Sequence, residues 1–291
     1  MRTRPFHALA TVALTVLLGG LLAAALVRHA PGFGVDEREF DARYSQQTVL
    51  EMRREPQPAR EGILLYYLHY LGRAARGDLG ISAGFRRPVR ELIAERLPQT
   101  ARSVGAGLAL GWTIGMLAAV AALWVARPAF DLLTGATTAL FLCLPSSVLA
   151  LAMVLAGRVE GGSAATGVIA LVILPRVYRY ARAILGRVSV APHVLMARAK
   201  GVGGIGLIWR HVLRPAAPAL VALAGVSVSV AFGAAIPAEV ICDSPGLGQL
   251  AWQAALQRDL PLLIDITMLV SILAGVSGLA SEFRGTPEAR S

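Results

Sequence analysis

Long runs without a charged side chain constrain this chain more than any other feature. Ala8 to Val27, Ser103 to Ala126, Leu132 to Gly157, Gly161 to Pro175 and Pro215 to Ala238 contain no Asp, Glu, Lys or Arg, and Leu260 to Ala280 contains only Asp265. About 20 apolar residues in a helix cover the roughly 30 Å hydrocarbon core of a bilayer. Of the 291 residues 55% are hydrophobic and 16% charged, against roughly 45 to 50% and about 25% in soluble domains. A soluble globular enzyme does not fit this pattern. The expectation is an all-α membrane protein with six transmembrane helices. The first run is longer than the 7 to 15 apolar residues of a cleaved signal peptide and reads as a retained span. The fourth is short, so its helix is expected to borrow residues past Pro175, with Arg176 and Arg179 snorkelling to the interface.

Charge placement orients these spans. The net charge of +10 comes almost wholly from Arg, since Lys200 is the sole lysine, and the segment 176–214 holds eight basic residues and no acid. Short loops rich in Lys and Arg stay in the cytoplasm, whereas long loops cross regardless of charge. With the N-terminus inside, Arg2, Arg4, Arg127, the segment 176–214 and the tail are cytoplasmic, and the external short loops carry only Arg158 and Arg258. Both termini are thus expected in the cytoplasm. The chain divides into an N-terminal tail and first transmembrane helix (1–27), an external helical loop (28–100), and a five-helix core (101–291) with a cytoplasmic loop 176–214 and an external loop 239–259.

The external loop reads as helical pieces, Glu37 to Arg54 and Ile63 to Leu71, interrupted by Pro56 and Pro58. A tight turn at Gly77-Asp78-Leu79-Gly80-Ile81-Ser82 follows. Val89, Leu92, Ile93 and Leu97 then recur at helical spacing, which predicts a surface helix over Pro88 to Leu97 that Pro98 ends. In the basic segment, Val194 to Lys200 is a good helix former, Gly201-Val202-Gly203-Gly204 stops it, and Ile205 to Leu213 starts a second short helix. Small Ala197 and Ala199 admit close approach by a partner, and Arg198, Lys200, Arg210 and Arg214 offer charge to an acidic protein or to lipid headgroups. A plain positive-inside loop would look the same.

Catalytic signatures fail in turn. The scattered His7, His29, His69, His193 and His211 and the two cysteines, Cys143 and Cys242, show no metal-ligand spacing. The cysteines read as packing residues. A P-loop needs Gly-Lys followed by Ser or Thr, but Lys200 stands between Ala199 and Gly201. No Gly-x-Ser-x-Gly elbow is present. The chain is expected to be non-enzymatic, without a cofactor of its own.

Ala197-Arg198-Ala199-Lys200-Gly201, then nine residues, then His211-Val212-Leu213-Arg214 resembles the cytoplasmic coupling-loop motif of ATP-binding-cassette importer permeases, in the form of the dipeptide, oligopeptide and nickel branch. Further stretches resemble that branch in the same order. They are Ala30-Pro31-Gly32; Gly77 to Ser82 with Pro88-Val89 and Arg96-Leu97-Pro98-Gln99-Thr100; and Glu239 with Pro245-Gly246-Leu247-Gly248 and Arg258-Asp259-Leu260-Pro261. The resemblance implies a permease subunit in a bacterial inner membrane, most simply for di- or oligopeptides. It implies a second permease as partner, two cytoplasmic ATPases that use the ATP, and an external substrate-binding protein. It assigns ATPase coupling to Ala197, Arg198, Ala199, Lys200, Gly201, His211, Leu213 and Arg214. It assigns an external gate and binding-protein docking to Gly77, Asp78, Gly80, Glu239, Pro245, Gly246, Gly248, Arg258 and Asp259.

Two other classes compete. An ion-coupled secondary transporter or channel would use acids inside its spans, for which Asp265 is the candidate. The competing view of Asp265 is a first-turn acid near the interface, favoured by the helix dipole. A membrane-anchored nucleic-acid binder would need more stacking side chains than Tyr178, Tyr180 and Trp209 in the basic segment, and no nucleic acid is expected as a partner.

Overall fold

A computed structural model of the chain describes residues 4–29, 62–125, 128–157 and 161–282. The described residues are helical, with one isolated antiparallel bridge between Ile81 and Pro88. The helices are α1 (Arg4–His29), α2 (Ile63–Ala74), α3 (Val89–Val125), α4 (Pro128–Cys143), α5 (Ser146–Leu155), α6 (Gly161–Ser189), α7 (Pro192–Ala199), α8 (Gly204–Leu207), α9 (Arg214–Ile241), α10 (Leu247–Leu256) and α11 (Leu260–Glu282). A π-helical turn, Ile208–Leu213, joins α8 to α9. The expected helical piece Glu37 to Arg54, the Ala30-Pro31-Gly32 stretch, Arg158 and the C-terminal tail lie outside the described residues.

Among the described residues four helical rods are long and apolar enough to cross a membrane: Leu9–His29, Val89–Trp124, Gly204–Ile241 and Leu260–Gly278. A fifth would be the pair Leu132–Cys143 and Ser146–Leu155, bent by 97°. The run Leu132 to Gly157 is therefore not the straight span expected. Pro145 has no N–H to continue the ladder and biases Leu144 out of the helical region, and at φ −59°, ψ 146° it starts α5 afresh.

Two further expectations are corrected. Pro98 does not end the surface helix, because Pro88 to Leu97 is the beginning of the 37-residue α3, which carries Pro98 inside it. Losing one N–H costs a helix a single hydrogen bond, and packing on both sides restores the continuity that propensity alone would deny. Nor is Ile205 to Leu213 a separate short helix. It runs through the π turn into α9, so that Gly204–Ile241 is one rod of 38 residues. The fourth run does extend past Pro175, in a 29-residue helix that reaches Ser189.

The chain divides into two compact units, residues 1–12, 96–250 and 272–291 in one and 13–95 and 251–271 in the other. In the first unit α6 is central. Ala164, Ala165, Val168, Ile169, Val172 and Ile173 are buried, together with Ala231, Ala234, Ala235 and Ala238 of α9. Small residues let the backbones approach closely where lipid supplies no hydrophobic drive between helices. The same device serves α3 against α6. A Cβ at Gly107 would lie 2.7 Å from Ile169 Cγ2, one at Gly111 2.9 Å from the Ile173 side chain, and one at Gly115 3.0 Å from the Leu174 carbonyl oxygen. In the second unit Tyr66, Tyr67 and Tyr70 on one face of α2 pack with Ala24, Leu260 and Ile264. The Tyr67 hydroxyl donates to the Leu17 carbonyl at 2.8 Å, and the Tyr70 hydroxyl donates to Asp265. Burial first, and then the Asp265 carboxylate, raises the Tyr70 phenol above its usual range.

Candidate coupling and gating sites

The residues expected to couple to an ATPase lie on a helix, a glycine turn and a π turn within the first unit. Pro192 at the first position preorganises α7, and Gly201 with φ +80° closes it. The Gly201 N–H donates to Arg198 O at 2.9 Å and the Val202 N–H to Ala197 O at 3.1 Å, which satisfies the last carbonyls of the helix. Val194 and Ala197 are buried with Leu207, Val212 and Ala216. Arg198, Ala199, Lys200, Gly201 and Arg214 are exposed, and His211 and Leu213 are half-buried. The two halves of the motif are tied by His193 Nε2 against His211 O at 3.0 Å. Exposed Leu195 and Met196 add an apolar edge beside the cations. The π turn falls on the second half of the motif, and such wide turns concentrate at functional sites.

The expected gate residues fall into two clusters, one in each unit. In the second unit, Gly80 at φ +77° lets the chain turn back, its N–H donating to Asp78 Oδ1 at 3.0 Å. The Gly77 N–H donates to Ala74 O at 2.9 Å and closes the exit of α2. Asp259, fully buried, is the hub. Its carboxylate accepts the Ser82 hydroxyl, the Gly84 N–H at 3.0 Å and the Leu262 N–H at 3.3 Å. It thus caps α11 and pins the Gly77 to Ser82 turn at once. Arg258, half-buried, takes a positive φ of 54° beside it. Ser82 is the residue the site assignment missed, and its partner is 177 positions away.

In the first unit, Glu239 near the end of α9 is fully buried and accepts the Gly248 N–H on Oε2 at 2.7 Å. The carboxylate therefore sits at the N-terminus of α10, where the helix dipole favours negative charge. A Cβ at Gly246 would fall on that carboxyl group, and one at Gly248 would lie 2.7 Å from Ile236 Cα. Both positions demand glycine. Pro245 is exposed on the turn between them and Glu239. Thr100 was not among the expected site residues, yet its hydroxyl accepts the Leu247 N–H at 2.7 Å, and Gln99 donates to Ser244 at 3.2 Å. Among the described residues no group of His, Cys, Asp and Glu could hold a metal.

Comparison with known proteins shows the family. Residues 111–281, more than half of the chain, match the family described as "Binding-protein-dependent transport system inner membrane component". The chain belongs to this family. It is a permease subunit of an ATP-binding-cassette importer, a multi-pass inner-membrane component that works with ATPase and substrate-binding components. The permease is 30% identical over 228 residues to the oligopeptide transport system permease protein OppB of Salmonella typhimurium, covering 72% of this chain and 74% of that protein. It is 26% identical over 238 residues to the glutathione transport system permease protein GsiC of Escherichia coli, covering 77% and 78%. Its fold is similar to a chain of the inward-facing MetNI methionine ABC transporter, with a TM-score of 0.57 and 21% identity over 67% of this permease and 94% of that chain.

Proposed function

We propose that this permease lines the translocation path of an importer for di- or oligopeptides, paired with a second, similar permease. Two cytoplasmic ATPases would supply ATP hydrolysis, which this chain does not perform, and an external binding protein would deliver the peptide. The bent α4–α5 pair and α6 would complete six spans, with both termini in the cytoplasm. The peptide assignment is supported by the names of the relatives. The mechanical assignment is carried by one observation, the exposed eight-residue α7 on a chain segment with no acid. Its apolar edge and its cations suit a groove on an ATPase. Its buried contacts with Leu207 and Val212, and the unbroken rod from Gly204 to Ile241, would pass a displacement of α7 into a membrane helix as a rigid body. The turns fixed by Asp259 and Glu239 would face the binding protein and act as an outer gate.

The test is affinity purification of the tagged chain in mild detergent, then reconstitution and uptake of trialanine. Recovery of an ATPase and a second permease, with uptake that requires ATP and ignores an ion gradient, is the expected result. Recovery of the chain alone, with uptake that follows an ion gradient, would replace the importer reading by an ion-coupled transporter.

A further inference from the structure

The break between α4 and α5 opens a cavity of about 330 Å³, lined among others by Pro145, Ser146, Arg176, Val230, Gly233 and Ala234. Arg176 stands where α6 passes from its charge-free half, 161–175, into the half that carries Arg176, Arg179, Arg182 and Arg187. Its Nη1 donates to the Val172 carbonyl at 2.8 Å, which turns the side chain back along the helix toward the apolar half. Among the described residues no acid lines the cavity. Arg176 thus shares the cavity wall with Ser146 of α5 and with Val230, Gly233 and Ala234 of α9. An ionisable group held among membrane helices is costly and is retained where a solute or ion needs it. A guanidinium is the side chain whose planar fork matches a carboxylate.

We infer that this cavity is a carboxylate subsite on the translocation path, where Arg176 holds the C-terminal carboxylate of a peptide before its release. The inference rests on the peptide reading above and adds a residue and a chemical group to it. Neutral solutes of the same size would gain nothing from the guanidinium. Gly233 makes the cavity open to a solute, since a Cβ there would meet no atom within 4 Å.

The experiment uses the importer reconstituted with its partner subunits and compares uptake of trialanine with that of trialanine amide. Any preference of the binding protein is common to all permease variants, so the ratio of the two uptakes reports the permease alone. Arg176→Gln is expected to lower the trialanine-to-amide ratio about tenfold, the scale of one hydrogen bond to a charged group. An assembled Arg176→Gln complex with the wild-type ratio overturns the subsite. If that variant fails to assemble, Gly233→Leu places an apolar side chain in the cavity from a position where a Cβ meets no atom within 4 Å. It is expected to lower the ratio by a similar factor, and an unchanged ratio there overturns the subsite equally. A wild-type complex that imports neither peptide with ATP overturns the peptide reading itself, a result separable from the other two.

Discussion

The turns around Asp259 and Glu239 and the segment 176–214 fix a loop to a helix in opposite ways. The first two bury a carboxylate that accepts hydrogen bonds from the chain itself, the Ser82 hydroxyl and two backbone N–H groups at Asp259 and the Gly248 N–H at Glu239. The third has no acid at all and is held by apolar burial of Val194, Ala197, Leu207 and Val212, a glycine cap and one histidine contact. A buried acid tied to the chain's own donors, as Asp259 is on both oxygens and Glu239 on Oε2, makes a fixed element. The cations around the glycine turn, Arg198, Lys200, Arg210 and Arg214, are exposed and so available to another subunit. The difference separates an element that holds its shape from one that, on the proposed reading, would receive force from an ATPase.

The largest expected effect probes the fixed side. Asp259→Ala strands the Ser82 hydroxyl and the Gly84 and Leu262 N–H groups in a buried site, and about 3 kcal/mol of stability should be lost. Thermal denaturation of the purified complex in detergent checks this, and an unchanged midpoint would mean that the hub is decorative. On the other side, Gly201→Ala forces a side chain into the left-handed region at φ +80°, at a cost of about 1 kcal/mol. That loss should be accompanied by reduced coupling between ATP hydrolysis and uptake. Removing charge from the same turn, with Arg198→Ala and Lys200→Ala together, should change stability by less than about 0.5 kcal/mol, as for exposed side chains generally. ATPase recovery on purification should nonetheless fall. Stability loss with full ATPase recovery would invert the comparison.

The smallest effect concerns Asp265. Asp265→Asn keeps an oxygen to accept the Tyr70 hydroxyl, so ATP-driven uptake should stay at the wild-type rate across neutral pH. Abolished uptake in an assembled complex would instead give Asp265 a proton-coupling role.

The long apolar helices were legible because charge-free runs are a one-dimensional signal. The glycine stop after α7 was legible for the same reason, since a helix former followed by Gly201-Val202-Gly203-Gly204 needs no tertiary information. Two prolines were not, Pro98, which was expected to end a helix, and Pro145, which was expected to lie within one. Pro98, Pro175, Pro218 and Pro237 lie inside helices, whereas Pro145 breaks one, and packing rather than local propensity decides which outcome wins. A visible signal at Pro145 was Ser146-Ser147 directly after it, residues that favour helix starts over helix interiors. Gly107, Gly111 and Gly115 recur every four residues on α3, and that stripe could have predicted its close contact with α6. The fusion of Ile205 to Leu213 with α9 was hidden because Pro215 looks like a new start, although proline is compatible with the first turn of a helix. In the turn around Asp259, the motif residues Asp259 and Gly80 were in view. The link from Asp259 to Ser82 was not, because nothing local joins residues 177 positions apart.

The central claim is that the acid-free segment, rather than the acid-anchored turns, meets the ATPase. A bifunctional maleimide tests it in the assembled importer, with Cys143→Ser and Cys242→Ser as background and a single cysteine introduced by Lys200→Cys or by Ile81→Cys. Both positions are exposed. The account predicts a cross-link from position 200 to the ATPase, altered by ATP, and none from position 81. A cross-link to the ATPase from position 81, or none from position 200 in a complex that hydrolyses ATP, would contradict it.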